Sequence, residues 1–369
     1  MRILLFILVI TIALPSFGQR KKKDEETVTP TFVEGIAYAL PRTGIRVHVK
    51  AVKETFIPGP YAAYAEQLLG ITDAKNQATV NWKIEDVAIE TFSEPDPEQV
   101  YKALGDAAYL LDLTPQGCLA GINSDVTPVN LGPVKTNSFV ATPDYDDEFR
   151  YANFNDTPLY TPGDSTNNFR PVRVSADVKA AEAAKRILDS RLTQYDMAAG
   201  LLDEFPPDGL AYKVSLEELK KIEEEYLSLF VGRTTYKHEA FSFDFVPTSS
   251  AQKGDVMFRF SDEKGVVPAS DLSAKPVLIK VESESSLTKK YTGLAKSDNP
   301  SAGESGIYYR MPAIADISII YELKTIATAR ATVAQFGVVA PMPEDLLYGD
   351  YSIKIHPETG AVENVHKIK

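Results

Sequence analysis

The chain has 369 residues, 44% of them apolar, so it is long enough for two or three domains and able to bury real cores. It carries 39 Lys+Arg against 51 Asp+Glu, a net of −12, which argues against nucleic acid as a partner because phosphate binding is driven by basic patches. The one cysteine, Cys118, excludes an intramolecular disulfide and leaves stability to packing.

In chain order, Met1–Gly18 reads as a secretory signal: Arg2 is positive, Ile3–Leu14 is apolar but for Thr11, and Ser16 and Gly18 are small residues before Gln19. The apolar run is too short to span a bilayer. No cysteine follows to become a lipid anchor, so the expectation is an exported, periplasmic or loosely envelope-associated protein that is not a lipoprotein. No transmembrane span is expected after signal cleavage. Residues 19–30 read as a flexible leader, its basic run Arg20–Lys23 answered at once by Asp24, Glu25 and Glu26.

From Gly35 the pattern is that of strands. Ile45, Val47 and Val49 alternate with polar residues, and so do Val80, Trp82 and Ile84, the pattern resuming at Val87 and Ile89 after Asp86. Between them a short helix fits Tyr61–Leu69, with Gly70 as its stop. Leu40-Pro41-Arg42-Thr43-Gly44 matches a sortase pattern but lies far from the C-terminus, and reads as a turn. Leu111–Ile122 reads as a hairpin around Pro115-Gln116-Gly117, with Cys118 a buried structural residue rather than a nucleophile. Residues 141–170, rich in Pro, Asp and Asn, read as a long irregular loop. Five of its six aromatic residues, Tyr145, Tyr151, Phe154, Tyr160 and Phe169, are candidate contacts for a partner, with packing against their own domain as the alternative. Asp164-Ser165-Thr166 in the same loop resembles an O-glycan acceptor of Bacteroidota.

Two helices follow. Val178–Ala199 carries Ala184, Leu188, Leu192, Tyr195 and Ala199 on one face and stops at Gly200. The second opens at Ser215, with Glu218 at capping-box spacing, and closes at Gly232. The two are expected to pair antiparallel and cover a sheet. After Arg233 the chain is strand-like again: Phe241/Phe243/Phe245, Val256/Phe258/Phe260 before a turn at Asp262–Gly265, Ile317/Ile319/Tyr321/Leu323, and a last hairpin at Pro357–Gly360. Gly35–Pro41 echoes Gly306–Pro312, a pattern that fits either a duplicated β-unit or coincidence between two β-prone segments.

The fold class is therefore α+β: two antiparallel β-rich domains, residues 31–172 and 234–369, with a helical hairpin, residues 173–233, packed on one sheet. The residues support no catalytic, cofactor or metal assignment. The four histidines have no metal-ligand spacing, and Asp144–Glu148 lacks the glycine and distal glutamate of an EF-hand. There is no nucleophile elbow, P-loop or dinucleotide fingerprint.

Several segments together resemble a family of exported Bacteroidota proteins known only as a domain of unknown function. They are Tyr38–Pro41, Gly59-Pro60-Tyr61 with Tyr64-Ala65, Trp82-Lys83-Ile84, Gly117–Asn123, Glu225–Phe230, Tyr308–Pro312, Gln335-Phe336-Gly337 and Glu358–Ala361. The resemblance implies an envelope or periplasmic setting and brings no catalytic residues with it. Its functional expectation is a non-enzymatic binding or assembly module for an envelope protein or a glycan. The alternatives are a purely structural role in an envelope complex and a carbohydrate-active hydrolase with a sequence-dispersed carboxylate pair.

Overall fold

A computed structural model describes residues 34–124, 149, 159–161, 170–172, 175–201, 209–248, 254–284, 290, 306–347 and 350–368. The signal segment and the leader lie outside these residues, as does most of the loop 141–170. The fold is α+β and dominated by antiparallel strands, as the alternating apolar patterns require.

The backbone of the molecule is a long ribbon. Strand β1, Ile36–Ile57, runs antiparallel to β2, Thr79–Ala103. They are joined through a 3-10 turn at Ala62–Tyr64 and helix α1, Ala65–Leu69, which ends on Gly70 in the left-handed conformation. Strands β3, Leu111–Leu113, and β4, Leu119–Ile122, form the expected hairpin. A small ribbon pairs β5, Leu159–Thr161, with β6, Arg170–Val172.

Helices α2, Ala176–Ala199, and α3, Gly209–Val231, then form an antiparallel hairpin. Helix α3 starts at Gly209, six residues before Ser215, because Leu210–Val214 are compatible with helix. The base of the hairpin packs against α1 and the end of β1: Ala180, Ala183, Ala184, Ile187, Leu229 and Phe230 close over Tyr61 and Ala65. Beyond that base the two helices meet through polar groups. Ser190 Oγ donates to the Leu219 carbonyl at 3.1 Å, and Arg191 pairs with Glu223 at 2.6 Å. The expected apolar face of α2 is thus only partly buried. Ala184 is covered, whereas Leu188, Leu192 and Tyr195 are exposed, because α3 sits against the neighbouring face.

Strand β7, Arg233–Phe245, returns along the other side of β1, completing a sheet of order β2-β1-β7. A second sheet has order β12-β11-β10-β8-β9. Its members are β8, Asp255–Ser261, β9, Gly265–Val267, β10, Lys275–Ser283, β11, Tyr308–Tyr321, and β12, Lys324–Pro341. After helix α4, Glu344–Leu347, strands β13, Tyr351–Ile355, and β14, Val362–Lys367, add to β4 in a third sheet of order β14-β13-β4-β3.

The first two sheets pack face to face as a sandwich. Ile45, Val47, Val49, Ala51 and Trp82 meet Phe258, Phe260, Val277, Ile279, Ile317 and Ile319. Phe243 stacks on Phe258 with ring centres 4.5 Å apart. The strands of residues 34–124 and 233–368 therefore share cores and sheets: β7 pairs with β1 and β13 pairs with β4. The β-rich stretches before and after the helical hairpin are woven together in space: β7, from the second stretch, completes the wall that β1 and β2 begin.

The echoing segments open two hairpins of like construction. In β1–β2 the single residue Leu40 faces a four-residue excursion, Asp96–Gln99; in β11–β12 the single residue Pro312 faces Ala334–Gly337. Each excursion grips the other hairpin. Arg310 of β11 donates to Asp96, and Thr43 of β1 exchanges backbone hydrogen bonds with the Gln335 side chain, both at 2.9 Å. The sortase-like segment is consequently not a turn: Leu40–Gly44 lies inside β1, with Leu40 fully buried.

Candidate functional site

The strongest candidate is a cleft of about 520 Å³ at one edge of the sandwich, within the size range of ligand sites. It is lined by residues 82–87 of β2, together with Phe260, Asp262, Tyr321 and Ile326. Consecutive strand residues point to opposite faces, so six in a row can line a cleft only if the strand offers its edge. β2 and β12 are both edge strands of their sheets, and the cleft lies where the two free edges run past one another.

Both edges are deformed there. Ile84 pairs with Ala51 and Asp86 with Lys50, which leaves Glu85 as an extra residue in β2. Thr325 pairs with Ile320 and Ala327 with Ile319, leaving Ile326 as an extra residue in β12. Bulges re-aim side chains and concentrate next to functional sites. The turn beside them, Glu322-Leu323, has φ of 49° and 64° at its two residues, a conformation that favours Gly and Asn, and holds Leu323 98% exposed. Tyr321 therefore ends β11, and Leu323 leaves the alternating face it was expected to continue.

The floor of the cleft is closed. Trp82 is 8% exposed, its backbone N–H donates to the Asp262 carbonyl at 2.7 Å, and Gly265 lies so close to the indole that a Cβ there would sit 2.6 Å from Cδ2. The Lys53 ammonium lies 5.9 Å from the ring centre. Phe260 is buried, and Tyr321 meets it edge-on at 5.7 Å. Burial first, then the charges of Glu322 and Asp262, push the Tyr321 phenol above its ordinary value, so it stays a neutral donor at physiological pH.

The rim is acidic. Glu85 lies 3.1 Å from His238, Asp86 is 3.9 Å from Lys50, and Lys83 is drawn to Glu54 at 3.2 Å. Two of the three rim carboxylates, Glu85 and Asp86, thus already face a basic side chain, His238 and Lys50. Among the described residues, no group of three or more His, Cys, Asp or Glu side chains could hold a metal ion.

A second place is chemically conspicuous and structural in character. Segments far apart in sequence converge where the three sheets meet: Tyr38–Pro41, Gly117-Cys118, Tyr308–Arg310 and Gly360. Ala39 N–H donates to the Gly117 carbonyl, Arg310 N–H to the Gly360 carbonyl, and Tyr308 N–H to the Tyr38 hydroxyl. Arg310 and Asp96 form an ion pair there at 3% and 8% exposure. Cys118 is fully buried, and burial pushes its thiol up to about 11, only partly offset by its hydrogen bond with Thr114. A thiol so placed has almost no thiolate to offer as a nucleophile.

Of the aromatic residues proposed from sequence as contacts, Tyr145, Tyr151, Phe154 and Phe169 lie outside the described residues. Tyr160 is placed only as a backbone position of β5, opposite Pro171. The cleft residues were not singled out from sequence. The one available signal was the slip in alternation between Ile84 and Val87, which is the bulge at Glu85.

The molecule is a β-rich α+β protein whose candidate site lies between two sheet edges, and no helix among the described residues is long and apolar enough to cross a membrane. It belongs to the family described as a domain of unknown function, DUF4831, whose model matches residues 34–363. No curated protein and no solved structure matches the chain.

Proposed function

We propose that this protein is an exported, envelope-associated binding or assembly module for a protein or glycan partner, and that the cleft between β2 and β12 receives that partner. The observation that carries the reading is the coincidence, at one edge of the sandwich, of a ligand-sized cleft, two bulged edge strands and a turn with two left-handed non-glycine residues. Strain of this kind costs free energy and persists where function holds it in place.

Recognition is favoured over hydrolysis by the state of the rim. A glycosidase needs two carboxylates free to act across the substrate, whereas Glu85 and Asp86 are engaged with His238 and Lys50. The signal-like Met1–Gly18 supplies the export part of the reading.

The test is recovery of partners from native membranes with wild-type protein and with Ile326→Glu, which places a charge in the cleft. A partner retained by wild type and lost with the variant is expected. Equal recovery by both moves the binding site elsewhere. Release of reducing ends from envelope polysaccharide, abolished by Asp262→Asn, would replace the reading with a hydrolase. N-terminal sequencing of protein from the periplasmic fraction is expected to begin at Gln19.

A further inference from the structure

We infer that the occupant of the cleft is an extended segment of a partner polypeptide, with basic residues alternating with apolar ones, which pairs by its backbone with the free edge of β2. The inference rests on the reading of the cleft as a partner site and specifies the chemistry of the partner.

Three observations lead there. The cleft presents a strand edge rather than a strand face, and residues 83–87, beyond the Trp82 N–H already taken by the Asp262 carbonyl, span roughly 16 Å at about 3.3 Å per residue. An unpaired edge is a template for a further strand, and β-addition is a recurring way to bind peptides. The alternation expected of the guest follows from the two sides it would meet. The apolar part of the lining is Ile84, Val87, Tyr321 and Ile326. The charged part holds one cation, Lys83, against Glu85, Asp86 and Asp262; of these carboxylates Asp262 has no salt-bridge partner among the described residues, whereas Glu85 and Asp86 already face His238 and Lys50. Complementarity therefore calls for apolar side chains inward and cations outward.

A glycan fits these walls less well. Sugar rings stack on open aromatic faces, and here the indole of Trp82 is covered by Gly265 and Lys53 while Phe260 is buried and capped edge-on by Tyr321. What is open is aliphatic: Ile326 at 37% and Leu323 at 98% exposure on the lip. Such groups are more useful against a polypeptide than against hydroxyls.

Trp82 is the only tryptophan of the chain and lines the cleft, so its emission reports occupancy directly. The experiment titrates the full chain with three capped six-residue peptides: lysine alternating with valine, glutamate alternating with valine, and the lysine peptide N-methylated at alternate amides. An oligosaccharide mixture of cell-envelope type is the fourth arm. The lysine peptide is expected to shift the emission saturably, with affinity that falls as salt rises. The glutamate and N-methylated peptides are expected to bind at least tenfold more weakly. Asp262→Asn is expected to weaken the lysine peptide by about tenfold, the scale of one charge-assisted contact. Leu323→Gly, which leaves the carboxylates in place, serves as a second variant, with a smaller loss expected.

Equal binding of the lysine and glutamate peptides, or of the methylated one, overturns the inference. An emission shift with oligosaccharide alone overturns the inference and leaves the cleft as a partner site. If nothing shifts Trp82 while Ile326→Glu still abolishes partner recovery, the peptide chemistry is wrong and the site is right. If Ile326→Glu has no effect either, both fall.

Discussion

Asp96 and Arg310, 214 residues apart in sequence, form a buried ion pair that locks the two long hairpins together. Asp96 comes from the four-residue excursion of the first hairpin and Arg310 from the first strand of the second. The guanidinium Nε and Nη1 are buried without a hydrogen-bond partner among the described residues, so Asp96 alone offsets its charge by direct contact. Removing Asp96 leaves a buried cation uncompensated.

Asp96→Ala is therefore expected to destabilise the protein by about 3–5 kcal/mol. Arg310→Met, which keeps volume and removes the charge, is expected to cost less than Asp96→Ala, and the double variant less than the sum of the two. The midpoints of chemical denaturation check this. Equal, additive losses would mean that the pair is not coupled.

Gly337 lies under the β11 backbone. A Cβ there would stand 1.8 Å from the Met311 carbonyl oxygen and 2.7 Å from the Pro312 Cα, and neither is able to swing away. Gly337→Ala is expected to cost about 3 kcal/mol or more, as an overpacked core does. Gly117, at φ 82° with open space around it, pays only for conformation. Gly117→Ala is expected to cost about 1 kcal/mol. Thermal unfolding of the two variants side by side tests the difference.

Alkaline pH is expected to destabilise the fold through two buried groups. Burial raises the Cys118 thiol from 9.0 to about 11, and burial, partly offset by the hydrogen bond from Tyr308 N–H, raises the Tyr38 phenol above its ordinary 10.0. A group whose folded pKa is raised contributes stability fully below its unfolded pKa and loses it as pH climbs toward the folded value. The Cys118 contribution is thus intact below pH 9 and declines between 9 and 11, and Cys118→Ala is expected to flatten that part of the profile. The native thiol is expected to resist Ellman's reagent at pH 8 and to react once the protein is unfolded.

The turn Glu322-Leu323 is expected to trade stability for binding. Replacing it with Asn-Gly, residues suited to two left-handed positions, is expected to stabilise the hairpin by about 1 kcal/mol. The same change removes the exposed Leu323 side chain and is expected to weaken partner recovery. An unchanged melting temperature would show that the turn is not strained.

Much of the secondary structure is legible in the residues. Alternation marks β1, β2, β7, β8 and β11, and glycines at 70, 200 and 232 stop the helices where the left-handed conformation is needed. The slip between Ile84 and Val87 even records the bulge at Glu85. The Ser215–Glu218 spacing has the form of a cap, yet helix-compatible residues precede it and α3 begins at Gly209. The exposed stripe Leu188, Leu192 and Tyr195 has a different origin: a periodic apolar face says that a surface is apolar, not that a neighbour covers it.

The sequence alone determines the α+β class, the run of strands and helices, the absence of an intramolecular disulfide, and the acidic charge, because each depends on local period or on composition. Tertiary structure alone decides that β7 crosses the helical hairpin to pair with β1, that Asp96 meets Arg310, and that β2 and β12 are left as free edges around a cleft. Backbone edges carry no residue code: whether a strand is paired on one side or two follows from which distant segments reach it, and nothing within the strand records that.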